Sequence, residues 1–172
     1  ATGGDIYDDT RIANVSSDGL HAGGIVNLLA AEDIYLLNQN NQFANSVNLN
    51  AGRDAAVLKV YEGTPKAGDF SNRLIGTDLS LGNVRTGRDL TLRGGRIQAE
   101  TLEVGGNAEL ATNFWSDDNS LDGSITVNGQ VMVAGQTQIN TVGDVSLNNT
   151  TNHFAGAVSV TDETVNAAHR SA

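Results

Sequence analysis

Apolar and polar positions alternate with a period of two in short runs along the whole chain. VNLN from Val47, DLSLG from Asp78, DLTLR from Asp89, TLEVG from Thr101, ITVNG from Ile125, VSLN from Val145 and VSVT from Val158 all follow it. Each run is bounded by Gly, Asn or Asp, so the pattern predicts short strands closed by corners. Alternation sends Val, Leu and Ile to one face and Asn, Thr and Ser to the other. The predicted inward set is Val47, Leu49, Leu79, Leu81, Leu90, Leu92, Leu102, Val104, Ile125, Val127, Val145, Leu147, Val158 and Val160. Helical periodicity is thin, and only DETVNAAHRSA, from Asp162, offers a turn or two.

The strands are written in a recurring phrase. TGRDLTL starts at Thr86, AGRDAAV at Ala51, AAEDIYL at Ala30, GGNAEL at Gly105 and VGDVSL at Val142. A second phrase, apolar-x-Gly/Asn-x-apolar-x-apolar, gives FANSVNL from Phe43, LDGSITV from Leu121 and FAGAVSV from Phe154. Asp33 and Asp54 are 21 residues apart, Asp89 and Ala108 are 19 apart, and Asp54 and Asp89 are 35 apart with YEGTPKAGDFSNR between them. A unit near 20 residues has the length of one coil of a parallel β-helix, whose coils stack by strand pairing. Insertions at 61–73 and 111–120 are expected to project as loops. About seven or eight coils at roughly 4.8 Å predict a rod of about 35–40 Å. Gly and Asn are expected at corners that need positive φ. The rival is an antiparallel sandwich, whose best support is the Asn128-Gly129 hairpin signal in ITVNGQVMV. A coil corner accommodates the same dipeptide and predicts parallel pairing on either side of it.

Composition narrows the class. The chain has 172 residues, enough for one domain over 1–172, with 39% apolar, 17% charged and 5% aromatic residues, Gly 20 and Pro 1. So few charges argue against a helical bundle, and evenly spread apolar runs argue against disorder. A net charge of −10 leaves no basic footprint for nucleic acid. The local cluster Arg85, Arg88, Arg93 and Arg96 reads as a solvated sheet face. Cys is absent, so the sheet and core must hold the fold without disulfides. No apolar run reaches the roughly 18–20 residues of a membrane span, so no membrane insertion is expected. The opening ATGGDIYDDT has neither the basic start nor the apolar centre of a signal peptide, and the chain reads as a mature protein or a fragment of a longer fibre.

AGRDAAVL, TGRDLTLRGGRIQAETLEVGGNAEL and NTTNHFAGAVSVT resemble the repeats of filamentous-haemagglutinin-like exoproteins, large bacterial surface adhesins exported by two-partner secretion. The resemblance covers most of residues 24–161 and is one of rhythm and composition. It implies a right-handed parallel β-helix (a solenoid), extracellular display on the bacterial cell surface, and roles in adhesion or biofilm. The implied partners are adjoining coils of the parent fibre, an outer-membrane transporter during export, and a host-surface receptor or polysaccharide. The family's amino-terminal Asn-Pro-Asn secretion motif is missing, since the single proline is Pro65 after Thr64. An internal shaft segment is therefore expected.

Candidate chemistry is sparse. His21, His153 and His169 have no partner at ligand or triad spacing and read as surface or turn histidines. No Ser lies in G-x-S-x-G, and the clusters RGGR and EVGGNA lack the spacing of phosphate loops. The adjacent pairs Asp8-Asp9 and Asp117-Asp118 do not make a catalytic couple by adjacency alone, since strand neighbours point to opposite faces, and both lie in expected loops, where they read as solvated turn acids. DNSLDG, Asp118 to Gly123, resembles half a calcium loop but has Gly129 where a bidentate Glu is needed, so a weak or absent calcium site is expected there, no metal site is assigned, and no cofactor is expected. NFWSDDNS is the one stretch of interest for ligand binding: Phe114 and Trp115 could stack on a sugar while Asp117 and Asp118 hydrogen-bond to it, although large aromatics are usually buried and packing of Phe114 or Trp115 over the coil is the favoured reading. The expected function is non-enzymatic, a stiff shaft displaying adhesive regions. The alternatives are a carbohydrate-active β-helix enzyme, a polysaccharide lyase or hydrolase marked by acids clustered on one face of adjacent coils, and a sugar-binding module.

Overall fold

Alternation this regular yields strands throughout the structure, a computed structural model that describes residues 4–8, 19–38, 40–58, 60–63, 73–112 and 123–162. The first strands are β1 (Ile6–Asp8), β2 (His21–Ala22), β3 (Val26–Ala30), β4 (Ile34–Leu36), β5 (Gln42–Phe43), β6 (Val47–Ala51) and β7 (Ala55–Leu58). Then come β8 (Val60–Gly63), β9 (Arg73–Gly76), β10 (Leu79–Thr86), β11 (Leu90–Arg93), β12 (Ile97–Ala99), β13 (Thr101–Val104) and β14 (Ala108–Ala111). The last are β15 (Ile125–Val127), β16 (Val131–Val133), β17 (Thr137–Thr141), β18 (Val145–Ser146), β19 (His153–Phe154) and β20 (Val158–Asp162). No helix occurs among the described residues.

The recurring phrase builds one sheet. Four of its five copies become β4, β7, β11 and β14, which lie side by side in a seven-stranded sheet ordered β1-β4-β7-β11-β14-β17-β20. The copy at Val142 instead becomes β18, which pairs with β15 in a nine-stranded sheet. That second sheet runs β18-β15-β12-β10-β13-β16-β19, with β6 on β10 and β3 on β6. The long strand β10 joins its two parts: Leu79 and Ser80 pair with β12, while Asn83 to Thr86 pair with β13. The small pair β2-β5 is parallel as well.

Among the described residues every strand pair but one is parallel, so the sandwich alternative fails. Around Asn128-Gly129, β15 pairs with β12 and β18, and β16 pairs with β13 and β19. The N–H groups of Asn128 and Gly129 donate instead to the carbonyls of Ala99 and Glu100, at 3.0 and 2.7 Å, so the dipeptide is a corner stacked on the previous repeat. The exception is β8 on β9, an antiparallel pair. The 61–73 insertion, expected as a plain loop, thus opens and closes as the arms of a hairpin. Most of the second insertion falls outside the described residues.

The inward set forms the core from Val47 to Val127, each of these residues being buried, and Val145 and Leu147 pack against it half-buried. Val158 and Val160 depart from expectation at 47% and 57% exposed. Among the described residues β20 is the last strand of its sheet and pairs with β17, and its companions β18 and β19 are two residues long, so little of the described structure surrounds its inner face.

The corners correct a second expectation. Among the described glycines, positive φ occurs only at Gly4 and Gly19. The glycines of the recurring phrase are there for room: a Cβ on Gly87 would strike the carbonyl oxygen of Gly52, and one on Gly105 that of Gly87. Backbone lies directly on backbone at this corner, and a side chain has no space.

Candidate functional site

At one corner of the stack an Asp or Asn performs a structural task. Its side-chain oxygen accepts the backbone N–H of the equivalent residue one repeat later. Asp5 accepts from Asp33 at 3.1 Å, Asp33 from Asp54 at 3.1 Å, Asp54 from Asp89 at 3.0 Å, Asp89 from Asn107 at 2.7 Å and Asn107 from Gln136 at 2.9 Å. The spacings in this ladder are 28, 21, 35, 18 and 29 residues, so insertions vary the length of a repeat without breaking its corner. The residue paired with Asp89 is Asn107, one position before the Ala108 that the sequence spacing pointed to.

Arginines complete this corner. Arg53 grips Asp33 with two bonds, Nε to Oδ1 at 3.1 Å and a terminal nitrogen to Oδ2 at 2.7 Å, and also reaches Glu32 at 3.1 Å. Arg88 pairs with Asp54 at 3.1 Å. The Arg of each Arg-Asp dipeptide therefore binds the Asp of the repeat before it. Hydrogen bonding from Arg53 is the main cause that holds the Asp33 carboxyl below its usual 3.8, and the Asp54 N–H and the nearby guanidinium charges act the same way against the effect of burial. A general acid needs a shift in the other direction. The Tyr35 phenol is pushed up, first by burial and then by the Asp33 and Asp54 charges, and its ring lies 5.0 Å from that of Tyr7.

The four-arginine cluster differs from a simple solvated face. Arg85 pairs with Glu103 at 3.5 Å, Arg88 with Asp54, Arg93 with Glu109 at 2.7 Å and Arg96 with Asp78 at 2.9 Å, each acid lying in a neighbouring repeat. These pairs stitch repeats together while their arginine side chains stay 43–65% exposed, which limits each to about 0–1 kcal/mol.

Most of the acids and aromatics singled out from sequence lie elsewhere. Phe114, Trp115, Asp117 and Asp118 fall outside the described residues, as do Asp9 and His169. Asp8 overturns its expectation as a solvated turn acid. It lies in β1, pairs with Leu36 and points inward at 6% exposure, with Asn38 Nδ2 donating to its Oδ1 at 3.3 Å. His21 and His153 are exposed on strands, as surface histidines should be. Among the described residues, no group of three or more His, Cys, Asp or Glu is placed to hold a metal.

Sequence reading missed a groove on the outer face of β3, β6, β10 and β13. It measures about 490 Å³ and meets a second hollow of about 390 Å³, the two sharing Arg85 and Glu103. Its floor is an amide ladder. Asn48 Nδ2 donates to Asn27 Oδ1 at 2.8 Å, the Asn83 N–H donates to Asn48 Oδ1 at 2.7 Å, and the Thr101 hydroxyl donates to Asn83 Oδ1 at 2.8 Å. A bulge makes this possible: between Leu81 and Val84 the register against β6 slips, so Gly82 and Asn83 face Asn48 together. Gly82 must lack a Cβ, because the Asn48 side chain occupies that place. The signal for the groove was the polar half of the alternation, Asn27, Asn48, Asn50 and Asn83, set aside as mere surface.

Fold and corner together define an all-β protein of stacked repeats joined by in-register parallel pairing. The chain belongs to the family of Repeats of unknown function (DUF5649), whose model matches residues 2–50, 67–117 and 118–161. Each matched unit carries two strands of the seven-stranded sheet: β1 and β4, β11 and β14, then β17 and β20. No curated protein and no solved structure matches the chain.

Proposed function

We propose that the chain is a right-handed parallel β-helix and serves as a shaft segment of a secreted bacterial surface adhesin. The observation that carries this reading is the stack of seven parallel strands, six of them joined by a continuous corner ladder. Such a stack lengthens by repetition without changing its cross-section, and each repeat contacts only its neighbours. That architecture suits a rigid spacer better than a reaction chamber. The likeness of AGRDAAVL and TGRDLTLRGGRIQAETLEVGGNAEL to filamentous-haemagglutinin-like exoproteins supplies the setting: two-partner export through an outer-membrane transporter, display at the cell surface, and adhesion to a host receptor or polysaccharide by regions the shaft carries. No turnover is assigned to it.

Removing one repeat tests the reading. Leu90 and Ala108 are in register, so deleting residues 90–107 closes the stack with one strand fewer in this sheet. In the adhesin displayed on cells, a spacer tolerates this, and export and attachment persist. Loss of attachment by a shortened protein that still folds and reaches the surface refutes the shaft. A crystal structure with left-handed turns refutes the helix assignment separately.

A carbohydrate-active enzyme is the second reading, favoured by Asp5, Glu32, Asp33, Asp54 and Asp89 gathered on one corner of neighbouring repeats. Polysaccharide degradation that disappears in Asp33→Asn or Asp54→Asn would establish it. Degradation that disappears in Asp117→Ala or Asp118→Ala would place an active site in the 113–122 segment instead.

A further inference from the structure

We infer that the groove across β3, β6, β10 and β13 binds a neutral linear oligosaccharide running along the stack, across the strands. The inference does not rest on the shaft reading.

Three observations carry it. First, the polar groups are repeated and already oriented. The Asn27-Asn48-Asn83-Thr101 ladder holds the Oδ1 atoms of Asn27 and Asn83, which leaves their Nδ2 groups, among the described residues, as donors facing the groove. Amides supply both donors and acceptors and suit hydroxyls of either role. Second, the column beside this ladder follows the register Leu29–Asn50–Arg85–Glu103–Met132–His153. Leu29, 53% exposed, and the half-buried Met132 offer apolar surface for the C–H faces of sugar rings. Third, the bulge at Gly82-Asn83 lies in the groove. A bulge breaks ladder pairing and re-aims side chains, and this one turns Asn48 and Asn83 toward each other.

Other ligand classes fit less well. An extended peptide is captured through a free sheet edge, and the strands at the centre of this face are paired on both sides. Nucleic acid and other polyanions meet a chain of net charge −10. Arg85, the groove's cation, is paired with Glu103. A lipid surface needs a broad apolar patch, and Leu29 and Met132 are separated by polar residues. From β3 to β19 the column spans about 24 Å, counted at about 4.8 Å per strand, so it accommodates several sugar units.

The test uses the full chain with neutral linear hexasaccharides of glucose, mannose, galactose and N-acetylglucosamine, each beside its disaccharide. At least one hexasaccharide is expected to bind at least tenfold more tightly than its disaccharide in calorimetry. The side-chain amide signals of Asn27, Asn50 and Asn83 should shift in a ¹⁵N spectrum. The exposed pair Asn50→Ala/Arg85→Ala leaves the amide ladder intact and should weaken binding at least tenfold with an unchanged unfolding midpoint. Absence of binding to every hexasaccharide at millimolar concentration overturns the inference. So does binding that the double variant leaves unaltered, or that Trp115→Ala abolishes instead. Binding confined to sulfated or uronic oligosaccharides overturns the assignment to neutral chains.

Discussion

Replacing Leu92 by Ala tests the stacked interior most directly. Leu92 is 0% exposed, and the register sets it between Val57 and Leu110 of the adjoining repeats. Both neighbours are anchored by strands paired on two sides, so the walls cannot close over the missing atoms. Leu-to-Ala changes at such sites cost the transfer of the lost carbons plus the cavity, about 3–5 kcal/mol. For a chain of this size that is a fall of roughly 6–20 °C in Tm. Val160→Ala is the internal control. Val160 is the inward-facing equivalent of Leu92 at the end of the sheet, paired with Ile139 but 57% exposed, so its loss should cost under about 1 kcal/mol. Urea unfolding followed by circular dichroism gives the two midpoints. Since each repeat contacts only its neighbours, hydrogen exchange should show lost protection centred on β7, β11 and β14. If Leu92→Ala moves the midpoint no further than Val160→Ala, the enclosed column is not what holds the stack together.

Three further outcomes are expected. Gly87→Ala should destabilise by about 1–3 kcal/mol, because the new Cβ meets the Gly52 carbonyl, while Gly23→Ala, with open space around it, should stay within about 0.5 kcal/mol in the same urea assay. Asn107→Ala removes the acceptor of the Gln136 N–H and should cost about 1 kcal/mol, read from the unfolding midpoint. Asp33 has its carboxyl lowered in the folded chain, so its contribution is present above the usual 3.8 and is lost as pH falls through the lower folded value. Asp33→Asn should therefore be less stable than the parent at neutral pH, and the gap should narrow below about pH 3.8; a gap independent of pH would exclude the Arg53 pairing as its source.

The strands and the identity of most inward residues were legible because a period of two has a direct physical reading. From Val47 to Val127 each predicted inward residue is buried. Val158 and Val160 obey the same alternation and are exposed, because alternation chooses a face and cannot say how much of the neighbouring strands covers it. Asp8 was misread for a related reason: in β1 the inward position falls on an acid, which a rule of apolar-inside polar-outside sends to solvent. The asparagines that line the groove were visible in the polar half of the alternation, but its shape was not. It depends on a register slip at Gly82-Asn83, and only pairing against β6 makes that glycine a bulge.

The second sequence phrase shows what such repetition specifies. Its three copies have the same spacing of apolar residues, yet they land in three different places. Val47 and Leu49 pair with β3 and β10, Ile125 and Val127 with β12, and Val158 and Val160 with β17. The phrase encodes a corner followed by a strand, which is local chemistry, and leaves open which sheet receives the strand. The Asp and Asn of the first phrase do more. The side chains of Asp33, Asp54, Asp89 and Asn107 each accept an N–H from the next repeat, so a correct stack satisfies these four at once, and a shift of one residue would leave backbone donors unpaired along that corner. Register is therefore set at the corners as well as by the strand interiors. That division explains how the spacing varies from 18 to 35 residues while Leu90, Ala55 and Ala108 remain in line.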